Sequence, residues 1–132
     1  MRDLRNDRTR RTGVREERLR ATAGLRSSST LSSWRGHSGR RYIVGVHPLN
    51  ETELLDVTDA VILAVKRDRT GAGLVVDAAM AATDPSQEIR LRWLKKARDR
   101  GATELHIHRL AATEADRRAI FEDLRENEIQ VS

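Results

Sequence analysis

Asp59–Leu110, DAVILAVKRDRTGAGLVVDAAMAATDPSQEIRLRWLKKARDRGATELHIHRL, reads as strand, turn, strand, helix and strand without a gap. AVILAV and LVVDAAMA are the longest apolar runs in the chain, and the RDRTGAG between them has the glycine content of a hairpin connection. In the first run Val61, Leu63 and Val65 alternate with Ile62, Ala64 and Lys66. Both sets are largely apolar, which predicts a central strand. The second run sets Leu74, Val76, Ala78 and Met80 against Val75, Asp77 and Ala79. Asp84 as N-cap, Pro85 at the first helical position and Gly101 past the end bracket a helix. Its buried stripe is expected at Ile89, Trp93, Leu94 and Ala97, with Arg90, Arg92, Lys95, Lys96 and Arg98 on a solvated face. In ELHIHRL, Leu105 and Ile107 point inward, and His106 and His108 share the opposite face.

Outward from this block, RYIVGVHPL over 41–49 predicts a strand that Pro48 ends. Tyr42, Val44 and Val46 lie on one face, and Ile43, Gly45 and His47 on the other. The missing side chain at Gly45 marks a bulge or the close approach of another group. Asn50 with Glu53 three residues on predicts a capped short helix over 51–57. Thr113 with Asp116 starts a last helix, packed through Ile120, Phe121 and Leu124, and Ile129 and Val131 add an edge strand or fray. The expected fold is a small α+β (mixed α/β) domain, a mixed β-sheet with helices mainly on one face, in the order β-α-β-β-α-β-α.

Residues 1–33 contrast with the rest. Residues 1–41 carry twelve arginines against Asp3, Asp7, Glu16 and Glu17, whereas residues 42–132 carry 13 basic and 16 acidic side chains. The net charge of +5 therefore belongs to the N-terminal stretch. Its apolar residues are too sparse for a stripe, and RSSSTLSS is polar and low in complexity. The division expected is a flexible Arg-rich arm over 1–33 and one domain over 34–132, since 132 residues suit a single core. With no cysteine, disulfides, thiolate metal sites and cysteine nucleophiles are excluded. No apolar run approaches the ~20 residues that span a bilayer. All but three of the 25 basic side chains are arginine, a bias that suggests a GC-rich bacterial genome. The expectation is a cytoplasmic protein without membrane contact.

No P-loop, dinucleotide fingerprint, HExxH, EF-hand or CxxC motif is present, and no cofactor is implied. WRGHSGRR, Trp34–Arg41, is one residue short of a nucleophile elbow and precedes a strand. It reads as a Gly-rich turn with Trp34 folded back on the sheet, or as a backbone-amide and arginine site for an anion. Weak metal or acid–base candidates are His47, Asp77, His106 and His108, if their strands are neighbours. Arg10, Arg11, Arg35, Arg40 and Arg41 are weak candidates for nucleic-acid phosphates, with Trp34 available for stacking. Ile43, Ile62 and Val75 make an apolar set on the sheet face opposite the helices, a weak candidate interface. The reading is a non-catalytic binding or regulatory module acting through protein contacts, including a homodimer. The alternatives are a nucleic-acid-associated protein using the arm and an enzyme using the His and Asp set.

Overall fold

The computed structural model describes residues 13–17, 30–81 and 86–125. They form a mixed α+β fold, a curled six-stranded sheet with three helices. The strands are β1 (Arg15–Glu16), β2 (Thr30–Arg35), β3 (Arg41–Pro48), β4 (Ala60–Arg67), β5 (Gly73–Ala81) and β6 (Glu104–His108). The helices are α1 (Glu51–Leu55), α2 (Gln87–Asp99) and α3 (Glu114–Leu124). From β3 onward the order is the one the sequence predicts. All pairings are antiparallel, in the spatial order β1-β2-β3-β6-β4-β5.

Two strands precede β3: β1 falls in the stretch expected to be a flexible arm, and β2 straddles its end at residue 33. Thr30–Arg35 pairs with β3 along its whole length, so the β-structure starts before Trp34. Residues 1–12, 18–29, 82–85 and 126–132 lie outside the described residues, and with them Arg10, Arg11, Asp84, Pro85, Ile129 and Val131.

Local chemistry accounts for the element ends. Asn50 Oδ1 accepts from Glu53 N at 2.9 Å and Thr113 Oγ1 from Asp116 N at 3.0 Å, the two caps expected of these residues. The cap of α2 is Ser86. Between β4 and β5, Asp68 Oδ1 accepts from Thr70 N and Ala72 N, and Gly71 sits at φ +91°, where a Cβ would be strained.

The sheet buries both faces. On the outer face, Leu54 of α1, Val57 just beyond it and Leu94 of α2 lie over Ile62, Leu105 and Ile107, and Ala97 of α2 over Ala64. On the inner face, Trp34, Val44, Val61, Leu63 and Val65 pack with Leu124 of α3. The expected stripe of α2 is met at Leu94 and Ala97, but Ile89 is 62% exposed and Arg90 is buried, donating to the Leu54 carbonyl at 2.6 Å. That carbonyl, at the C-terminal end of α1, attracts a cation.

Candidate functional site

Pairing register fixes which side chains share a face. Gly45, Ile107 and Ile62 lie opposite one another across β3, β6 and β4, as do Val46, His106 and Leu63 on the reverse face. His47 is opposite Leu105, and Leu105 opposite Ala64, which pairs with Asp77. His47 and Asp77 therefore belong to the outer face, and His106 and His108 to the inner one. The four metal candidates are not brought together. Among the described residues no group of three His, Cys, Asp or Glu is placed to hold a metal ion.

The inner face carries a buried polar network at one end of the curl. Arg67 Nη2 donates to Glu104 Oε1 at 2.8 Å, and its Nη1 donates to Glu16 Oε1. Ser32 Oγ donates to Glu16 Oε2 at 2.7 Å. His106, fully buried, lies between Glu104 Oε1, 2.8 Å from its Nε2, and the Trp34 indole, whose N–H donates to its Nδ1 at 2.9 Å. An indole N–H is only a donor, so Nδ1 accepts and the proton sits on Nε2, facing Glu104. His106 is thus held neutral in one tautomer. Burial pushes its pKa down, against the pull of Glu104 and Glu16. Burial works to raise Glu16 and Glu104, but the hydrogen bonds, led by those from Arg67, outweigh it and hold both carboxyls below their ordinary range. With both ring nitrogens engaged, His106 has no lone pair to offer a metal.

At the other end lies a cleft of about 660 Å³, bordered by Arg40, Tyr42, His108, Asp116 and Ile120. WRGHSGRR is the hairpin between β2 and β3, with Gly36 N donating to Arg40 O at 2.8 Å. Asp123 of α3 sits in it. Its Oδ1 accepts from Ser38 N at 2.8 Å, and its Oδ2 from Ser38 Oγ at 2.6 Å and Tyr42 Oη at 2.8 Å. The backbone-amide anion site anticipated from sequence is occupied by the protein's own carboxylate, which fastens α3 to the hairpin. Burial raises Asp123, and the Ser38 and Tyr42 hydrogen bonds overcome it to leave its pKa lowered. His108 Nδ1 lies 2.7 Å from the Ile43 carbonyl, so Nδ1 is the donor.

A Cβ on Gly36 would come within 2.3 Å of Asp123 Oδ2 and 2.8 Å of the Asp123 carbonyl oxygen. Gly36→Ala is therefore expected to push α3 off the hairpin and lower stability by about 1–3 kcal/mol. Urea unfolding with the slope unchanged checks this; an unaltered midpoint excludes the fastening role.

No protein-family model matches this chain, and neither does any curated protein or solved structure.

Of the arginines proposed for phosphates, Arg35 and Arg41 converge on Glu17, at 2.8 and 3.0 Å. Arg40 is exposed beside the cleft, and Arg10 and Arg11 lie outside the described residues.

The candidate interface set divides. Ile62 is 2% exposed beneath α1 and α2, and Val75 packs with the inner-face cluster. A bulge between the pairs Ala64↔Asp77 and Val65↔Val75 moves Val75 to the face opposite Ile62. Only Ile43, 45% exposed, lies on open surface. It borders a hollow of about 410 Å³ on the outer face, lined also by Leu31, Gly45, His47, Ile107, Arg109 and Leu110. Gly45 lies among these residues, and a Cβ there would come within 3.3 Å of His47 Nε2. That nitrogen is buried and has no hydrogen-bond partner among the described residues, while His47 Nδ1 lies 3.2 Å from Glu53 Oε1.

Proposed function

We propose that this chain is a non-catalytic binding module that pairs with a second copy of itself through the outer face of β2 and β3. The observation that carries the reading is the apolar patch around the Gly45 hollow. Leu31, Ile43 and Leu110, 39, 45 and 71% exposed, lie together where none of the three described helices covers the sheet. At ~25 cal/mol per Å² of apolar area, covering them favours association.

The charges around the patch support a second copy as partner. β6 runs antiparallel to β3 with Ile107 opposite Gly45, so Arg109 lies at the Ile43 end and His47 with Glu53 at the other. A two-fold axis at Gly45 that runs across the strands sets Arg109 of each copy against Glu53 of the other. Sedimentation velocity is expected to show a dimer whose dissociation constant rises about tenfold or more with Arg109→Glu, and falls back when Glu53→Arg is added. A wild-type chain that stays monomeric at high micromolar concentration overturns the reading.

A further inference from the structure

β1 is two residues long, yet it closes the curl of the sheet. On one side it pairs with β2, and Glu17 N donates to Ser33 O at 2.7 Å. On the other side Glu16 reaches across the inner face to Arg67 of β4 and lies over Gly73 of β5, where a Cβ would stand 2.8 Å from its Oε1. The only apolar side chain that Gly13–Glu17 lays on the core is Val14, which packs on the Trp34 cluster. Besides Val14, it is the Glu16 carboxylate that ties this segment to β4 and β5. Segments held by few apolar contacts open locally at a fraction of the global unfolding free energy.

We propose that residues 13–17 are a releasable strap, locked by the Glu16 carboxylate on Arg67 and Ser32, and that proton uptake by Glu16 and His106 opens it while β3, β6, β4, β5 and the helices stay folded. The groups facing Glu16 are Arg67 from β4, His106 and Glu104 from β6, and the Ser32 hydroxyl from β2. Glu17, on the next position, is held outside by Arg15, Arg35 and Arg41. In the closed state His106 is neutral and its Nδ1 lies 4.0 Å from Glu16 Oε2. Lifting the strap returns both groups to water, where each takes up a proton at its ordinary value.

The direction follows from linkage. His106 titrates below its ordinary 6.5 when buried, so the closed state loses advantage as pH falls below 6.5. Glu16 is held below its ordinary 4.5, so its share persists above 4.5 and is lost as pH falls through its lowered value. Opening is therefore expected to begin between these two limits and to steepen below the second.

The test uses the full chain with Trp93→Phe, which leaves Trp34 as the sole tryptophan. Its emission and the far-UV circular dichroism are followed from neutral to acid pH. The expected result is a red shift of Trp34 that starts below pH 6.5 and precedes loss of ellipticity, and that Glu16→Gln brings to neutral pH with ellipticity retained. Simultaneous loss of both signals overturns the strap. Should Glu16→Gln not fold, amide exchange in the wild type decides. The Glu17 amide is expected to be at least about tenfold less protected than the amides joining β4 to β6, and equal protection overturns the proposal.

Discussion

Arg67→Ala is expected to lower folding stability by about 3–5 kcal/mol, measured by urea unfolding at pH 7. Among the described residues Arg67 is the one cation between Glu16 and Glu104, and the Glu16 side chain is only 5% exposed. Removing the guanidinium leaves two carboxylates near each other in a site that water reaches from one side. Burial, then opposed only by the Ser32 hydroxyl at Glu16 and by His106, is expected to raise both carboxyls. The sign of the pH response inverts with it. In the wild type the lowered values of Glu16 and Glu104 give stability that is lost on acidification. In Arg67→Ala the raised values make mild acid stabilising, so the two stability curves converge as pH falls from 7 toward 4. Exchanging both carboxylates for amides in the Arg67→Ala background should recover much of the loss, because no uncompensated charge remains. A loss under 1 kcal/mol for Arg67→Ala alone would show that solvent at the open end screens the whole network.

The parts of this fold that the sequence discloses are those fixed by neighbours in the chain. Asn50 with Glu53 and Thr113 with Asp116 cap their helices across three residues, and Tyr42, Val44 and Val46 alternate with Ile43, Gly45 and His47 as a strand must. The polar network was not legible for the opposite reason. Ser32 and Ser33 are buried because Glu16 and the Glu17 backbone, sixteen residues away, satisfy their hydroxyls. Before that pairing is known, TLSSWR looks like linker. His106 and His108 alternate with Leu105 and Ile107, and alternation commonly marks a solvated face. Here α3 and the returning β1–β2 pair close over that face. A signal was present in Trp34, the largest side chain in a polar stretch, which needs a buried place and a partner for its N–H. At β5 a single bulged residue defeats strict alternation and sends Val75 to the inner cluster.

Lysine placed at two positions of the outer face should separate surface from core. Ile62→Lys puts an ammonium among Leu54, Val57, Leu94, Leu105 and Ile107, at a position only 2% exposed. The expected loss exceeds about 4 kcal/mol, comparable to the whole stability of many domains of this size, so the variant should lack a cooperative thermal transition. Ile43→Lys lies on the same face, two strands away, yet its side chain is half in water. Its fold should be intact within about 0.5 kcal/mol. In the proposed dimer it adds a charge to an apolar contact on both copies, so the species in sedimentation velocity should be a folded monomer. A folded Ile62→Lys would mean that α1 and α2 do not cover β4. An Ile43→Lys variant that still dimerises would move the contact away from the Gly45 hollow, because a two-fold through that hollow buries both new ammonium groups in the contact.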